Sequence, residues 1–313
     1  MKILVTGATG FVGACLVRRL QQRGREVHVT VRKGSSTWRI RDILPRLVVH
    51  EGDLRDADRV RSIVTSVRPS AVCHLATQGG YAVQQDARTI FETNVFGTMN
   101  LLRACESTGF DSFVNTGSSS EYGMAARPMD ELDRLEPRGD YAVSKAASTL
   151  FCTAEAIEKG LPVVTLRLFS PYGPWDDAKR MVPYVISSLL KGAAPRLSSP
   201  HHVRDYVYIE DVLDAYERAM TAPRSGTVFN IGSGVQHAIG EVVDRIEDAV
   251  QSGVAPVWGA RGPQRSEPAV WAANIEKART RLGWEPRTSL PEGIARTVAW
   301  FREHGRHYPE YTA

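Results

Sequence analysis

The first thirteen residues read MKILVTGATGFVG, and no other stretch constrains the fold as tightly. Residues 2–6 are a short apolar run rich in β-branched side chains. Residues 11–22 then place Phe11, Val12, Cys15, Leu16 and Leu20 at helical spacing, so three glycines fall between a strand and a helix. Each glycine has its own reason to lack a side chain: Gly7 makes a tight turn, Gly10 lets a ligand approach the backbone, and Gly13 lets the helix pack close on the strand. Free N–H groups and the dipole at the helix start form an anion site suited to a pyrophosphate. An ordinary glycine-rich turn is the competing explanation, but the strand before it and the helix after it favour a dinucleotide site. Thr9, Phe11 and Val12 share that turn and are expected at the cofactor.

The rhythm set by this unit continues. Apolar strand patterns recur at 27–31, 47–50, 71–76, 113–117 and 163–169, with helical patterns at 56–67, 86–108 and 140–159. Strands that read as continuous apolar runs are buried on both faces, which predicts an α/β Rossmann-type, doubly wound parallel sheet. After residue 170 the alternation breaks. Pro and Gly cluster at 171–174 and 192–200, helices are predicted near 181–191, 210–222 and 290–304, and strands near 207–209 and 227–232. The expected layout is a dinucleotide-binding domain over 1–170, to which 205–235 returns. A smaller C-terminal substrate-binding lobe is expected from 171–204 and 236–313.

Of the 313 residues 42% are apolar, enough for a large core, and 39 Lys and Arg against 35 Asp and Glu leave a net charge of only +4. No block of like charges occurs, which argues against nucleic acid or an anionic membrane as the main partner. No stretch approaches the ~18 apolar residues of a membrane span. Cys15, Cys73, Cys105 and Cys152 form no CxxC pair and each lies in an apolar pattern, as expected of reduced, buried thiols in a cytoplasmic protein. No His, Asp and Glu spacing suggests a metal site.

Which dinucleotide is meant turns on the end of the second strand. An acidic residue there would hold the ribose diol of NAD, yet VHVTVRKGSS has none, and Arg32 and Lys33 stand in its place. A guanidinium suits a 2′-phosphate, so NADP(H) is favoured over NAD(H); two solvated surface cations are the competing explanation. Asp53 and Leu54, after the third strand, are placed to meet the adenine ring. The chemistry points to YAVSK, which sets Tyr141 and Lys145 one helical turn apart on one face. An ammonium beside a phenol favours its ionised form, and such a pair moves a proton while a nicotinamide moves a hydride. NTGSSSEYG (115–123) follows a parallel strand at the end where open α/β sheets bind ligands, so its serines can hydrogen-bond a reacting oxygen.

TGATGFVG, HLA (74–76), GSSSEYG, YAVSK, LRLFSPYGP, RDYVYIEDV and LGWEP occur in order and span nearly the whole chain. Together they resemble the extended short-chain dehydrogenase/reductase family, the nucleotide-sugar epimerases, dehydratases and 4-ketoreductases. The resemblance implies proton transfer by Tyr141 and a Lys145 that holds the nicotinamide ribose and lowers the Tyr141 pKa. It makes Ser118 the catalytic hydroxyl, lets Leu75, Ala76, Thr77 and Thr116 line the cofactor, and has Asn94 brace the active-site backbone. A nucleotide-diphosphate sugar would meet Ser118, Ser119, Ser120, Ser170, Arg204 and, with shifted spacing, Arg265. His201 and His202, just before Arg204, read as solvated loop residues.

The 4,6-dehydratases of the family carry an acid where Ser120 stands, with Glu121 one place too late, so that reaction is disfavoured. GSSSEYG is similar to the GSSEEYG turn of 4-keto-6-deoxysugar reductases. With the phosphate-type strand end, this makes a 4-keto-sugar reductase the first expectation and a 4-epimerase the alternative. A catalytically silent dinucleotide-binding protein is a further rival, although Ser118, Tyr141 and Lys145 are all present. The family's dimers imply a homodimer through the helices at 86–108 and 140–159, by way of Ile90, Val95, Leu101, Leu150, Phe151 and Ile157.

Overall fold

A computed structural model describes residues 1–80, 84–221, 225–260, 269–305 and 308. Along the chain lie β1 (Lys2–Thr6), α1 (Phe11–Gln22), β2 (Glu26–Val31), β3 (Val48–Glu51), α2 (Ala57–Val67), β4 (Ala71–His74), α3 (Ala87–Phe91), α4 (Gly97–Thr108), β5 (Ser112–Ser118), α5 (Asp140–Lys159) and β6 (Val163–Leu168). There follow β7 (Ser170–Tyr172), α6 (Met181–Leu190), β8 (Val203–Tyr208), α7 (Ile209–Thr221), β9 (Thr227–Ile231), β10 (Gln236–Ala238), α8 (Ile239–Val250) and α9 (Leu290–His304).

Seven strands form one parallel sheet in the order β3-β2-β1-β4-β5-β6-β9. The chain reverses its direction of travel across the sheet between β1 and β4, the switch point at which such sheets open a crevice. Alternation along β1 shows why the strands read as unbroken apolar runs. Ile3 and Val5 enter the core on one face, with α1 and α7, while Leu4 enters the core on the other, with α2 and α4. Each such side chain stabilises the fold by about 1.5–3 kcal/mol when fully buried. The first of these cores continues without a break into the C-terminal part, through Tyr172, Trp284 and Phe301.

Two details depart from the sequence reading. The helix expected over 86–108 is interrupted by a π-helical turn at Glu92–Phe96, a wide turn of the kind found at functional sites. A second sheet, β10-β8-β7, was not foreseen beyond its middle strand. Its outer strands have three residues each, too few to print a period of two on the sequence.

Candidate active site

At the rim formed by the carboxyl ends of β1 and β4, the glycines are held by what lies against them. Gly7 has φ 70°, and a β-carbon there would sit 2.5 Å from the Ala76 amide nitrogen. One on Gly13 would drive into the Gly7 carbonyl, so the close approach of α1 to the strand depends on its absence. At Gly10 the nearest obstacle is the Gly7 carbonyl oxygen, 3.3 Å away. Gly10 at the N-cap has no side chain to cap α1 and no acid lies in the first turn, so the helix's own residues leave its first N–H groups and its dipole unneutralised. Phe11 is buried in the core and Val12 is half-buried. The Thr9 carbonyl accepts a bond from Nη1 of Arg39 (3.3 Å). Arg39, which the sequence did not mark, is itself buried; its Nε donates to the Trp175 carbonyl (2.8 Å) and ties the turn to the loop before α6.

Beyond β2 and β3 an open cavity of about 540 Å³ carries Arg32 and Lys33 on one side and Arg55 and Arg59 on the other. Glu51 and Asp53 also line it. Asp53 accepts the Arg55 guanidinium at 2.8 Å, which holds its carboxyl below the usual range. Leu54 departs from expectation: its side chain is not turned to the cavity but packs in the core beneath Gly97. An apolar side chain there gains more from the dry space under α4 than from an open cleft.

The second cluster surrounds β5. Lys145 is buried on α5 and its Nζ donates to the Thr116 carbonyl. Thr116 Oγ1 pairs with the Tyr216 hydroxyl at 2.6 Å. Ser118 ends β5, and its Oγ accepts the Ser120 amide (3.2 Å), capping a short 3-10 turn. Tyr141 is half-buried, with Gly79 (φ 87°) packed against its Cβ. Burial pushes the Tyr141 phenol up, and the Ser118 hydroxyl acts the other way, followed by Arg180. Burial pushes the Lys145 ammonium down. The expected lowering of the Tyr141 pKa by Lys145 is therefore not what the free protein displays. Desolvation of the phenol outweighs the charges around it, and the ammonium is directed at the Thr116 carbonyl.

Asn94, on the π-helical turn, has its whole side chain engaged. Its Oδ1 accepts the Gln78 amide (2.7 Å) and the Thr77 hydroxyl (3.2 Å), and its Nδ2 donates to the Gln78 carbonyl (2.8 Å) and the Ser144 hydroxyl (2.9 Å). One amide thus binds the loop after β4 to the helix of Tyr141 and Lys145. His74, of the HLA motif, bridges Thr6 (2.7 Å) and Thr98 (2.8 Å), and burial pushes it down to about 3. Leu75 is buried, Ala76 half-buried and Thr77 exposed along the same edge.

Glu121 is fully buried rather than free in the turn. Its Oε2 accepts Nε of Arg167 (2.7 Å), and its Oε1 accepts the Ser118 amide (2.8 Å) and the Thr149 hydroxyl (3.0 Å). Arg167 is the one charge inside the apolar strand VVTLRLF, a sequence signal of a buried ion pair. Of the expected substrate residues, Ser119 is buried, Ser120 half-buried, and Ser170 begins β7. Arg204, on β8, lies with its guanidinium 4.8 Å from the Trp271 ring centroid. His201 is exposed and His202 half-buried. Arg265 lies outside the described residues.

A Rossmann-type sheet with an unobstructed glycine turn at its switch point, and a Tyr–Lys helix beside a serine turn, define a nucleotide-binding α/β enzyme. Residues 3–232 match the model of the NAD dependent epimerase/dehydratase family, and the chain belongs to that family. A dTDP-glucose 4,6-dehydratase from Streptomyces griseus is 30% identical over 96% of this chain and 94% of its own length. Among solved structures, a UDP-glucose 4-epimerase from Thermotoga maritima with UDP-glucose superposes with a TM-score of 0.90 at 28% identity, covering 97% of this chain and 99% of that one. The Thermus thermophilus UDP-glucose 4-epimerase in complex with NAD gives 0.87 at 31% identity, covering 96% and 99%. Among the described residues no helix is long and apolar enough to cross a membrane, and no group of His, Cys, Asp and Glu could hold a metal ion.

Proposed function

We propose that this protein is a nucleotide-sugar oxidoreductase acting at C4 of a nucleotide-activated hexose, and that it is a 4-epimerase. The state of Glu121 carries the reading. Elimination of water needs a carboxyl group free to reach the sugar. Ser119 and Ser120 supply none, and both oxygens of Glu121 are engaged by Arg167, Thr149 and the Ser118 amide in a dry site. Hydride exchange at C4 needs no such acid. A dTDP-glucose 4,6-dehydratase matches this chain in length and fold as well as the two 4-epimerases do, so the choice rests on Glu121.

The residues fit an extended dinucleotide, with its pyrophosphate on the first turn of α1 and its adenosine end at the cavity beyond β2 and β3. A nicotinamide dinucleotide bound there supplies the hydride acceptor and donor. Tyr141 takes the proton of the sugar 4-hydroxyl and returns it, Ser118 hydrogen-bonds that oxygen, and Lys145 holds the ribose and steadies the phenolate. Arg204 and Ser170 face the nucleotide diphosphate and sugar.

A second reading, a 4-keto-sugar reductase drawing on NADPH, is favoured by Arg32 and Lys33 at a strand end without a carboxylate. One assay separates the two. Incubation with a nucleotide hexose that redistributes C4 epimers with no net cofactor change supports the epimerase. Stoichiometric loss of NADPH with a 4-keto sugar, and no epimer formed, replaces it with the reductase. We further propose a cytoplasmic homodimer. The four thiols are buried and free, and Val143, Leu150 and Ile157 form an exposed stripe on α5, near exposed Phe96. Ile90 and Leu101 of the expected interface lie instead in the core.

A further inference from the structure

Glu121 takes no part in the proposed proton or hydride transfer, yet it is buried among the residues that do. Its carboxylate joins three elements: the turn carrying Ser118, the helix α5 through Thr149, and the strand β6 through Arg167. Thr149 is one helical turn beyond Lys145 and two beyond Tyr141, so all three share one face of α5. The same Arg167 donates to the Tyr122 hydroxyl (2.9 Å), which donates in turn to Asn230 on β9 (2.7 Å). The backbone is hollowed to admit the carboxylate. A β-carbon on Gly117 would lie 2.7 Å from Glu121 Oε1 and 2.9 Å from Cγ of Arg167. A gap of that shape, filled by a charged pair at least 96% out of solvent, is a built feature rather than a surface accident.

We propose that Glu121 is a positioning residue whose carboxylate locks the Ser118 turn and the Tyr141/Lys145 helix into one register against β6. The inference rests on the proposed roles of Ser118 and Tyr141. Serine and phenol come from different elements, and no backbone ladder joins the turn after β5 to α5. Their separation is set by the side-chain bonds between them: Ser118 bonds the Tyr141 hydroxyl, Lys145 ties α5 to the Thr116 carbonyl, and Glu121 ties the Ser118 amide to Thr149 and Arg167. A shift of an ångström in that separation is enough to lose about a hundredfold in rate.

The charge acts as well as the shape. The groups acting on the Tyr141 phenol are the Ser118 hydroxyl, Arg180 from the loop ahead of α6 and Glu121 from the turn; Lys145, one turn along the same helix, has its ammonium on the Thr116 carbonyl, and the Tyr216 hydroxyl lies nearby. Glu121 raises the Tyr141 phenol and Arg180 lowers it. Removing the carboxylate charge therefore moves the phenol's titration to lower pH. A merely structural residue would leave it in place.

Glu121→Gln alone leaves a buried guanidinium without a countercharge and is expected to destabilise the fold strongly. The informative variants are E121Q/R167M, which removes both charges, and Thr149→Val, which keeps them and removes one tie. In the full-length enzyme, E121Q/R167M is expected to lose about tenfold to a hundredfold in kcat with KM within about twofold, a loss confined to the chemical step. The phenol limb of its pH–rate profile should move acidward. Thr149→Val should lose several-fold in kcat with the limb unmoved. A double variant with full kcat and an unshifted limb overturns the proposal; should that variant not fold, full kcat in Thr149→Val overturns it instead. Tyr141→Phe separates the layers. If it keeps full turnover, the acid/base reading fails, whereas an inactive Tyr141→Phe beside a fully active double variant sinks the role of Glu121 alone.

Discussion

At the rim beyond β2 and β3, Arg32 and Lys33 stand exposed over an open cavity. At the rim beyond β5, Ser118, Glu121, Lys145 and Arg167 are all buried, and each has a named partner. Both regions hold charge, but in different media. Solvent and salt screen the first, where an exposed ion pair contributes about 0.2–1 kcal/mol. The second is dry, and breaking a buried pair there costs about 3–5 kcal/mol. On the proposed reading the open rim selects between dinucleotides at little risk to the fold, while the closed rim holds the reacting groups, where loss of one charged partner is costly.

Tyr141→Phe should break the closed rim's function most sharply. We expect kcat to fall by about 10²–10⁴-fold with cofactor affinity near that of the unaltered protein, read by turnover and by fluorescence titration. The next effect tests dryness itself. Burial holds His74 at about 3 in the folded state, against 6.5 when unfolded. Between those values the unfolded chain binds more protons, so this stability is complete above pH 6.5 and is lost as pH falls, by up to about 1.4 kcal/mol per unit. Denaturant titrations at pH 7, 5.5 and 4.5 should show His74→Gln losing less over that range than the parent protein. An equal loss would mean that this part of the rim is wetter than its contacts indicate.

Smaller still is Gly13→Ala, where a methyl group meets the Gly7 carbonyl. Overpacking of this kind costs about 1–3 kcal/mol and should lower both Tm and dinucleotide affinity. At the open rim, Arg32→Ala should leave Tm unchanged and weaken NADP(H) by about tenfold more than NAD(H), near the value of one charge-assisted hydrogen bond. Equal weakening of both cofactors would remove the contrast between the two rims.

The helices α1, α5 and α9 and the inner strands were legible because each repeats one period long enough to see. The π-helical turn that carries Asn94 was not, since residues 86–108 read as one uninterrupted helix and the widening serves contacts with Gln78 and Ser144 from elsewhere in the chain. Leu54 follows β3, and which way its side chain turns depends on the gap beneath Gly97, which no local pattern encodes. Ser118, Tyr141 and Lys145 could be named from their motifs, whereas the free protein's raised Tyr141 pKa could not, because it follows from burial.

Local order alone therefore determined the parallel sheet, the glycine turn and the Tyr141/Lys145 pair proposed to react, since these depend on patterns a few residues long along one chain. The fate of Glu121 was decided by tertiary structure. Its partners come from 28 and 46 residues away, and only a packed interior, where an unpaired charge is intolerable, could turn an acid one place from a catalytic position into a buried tie.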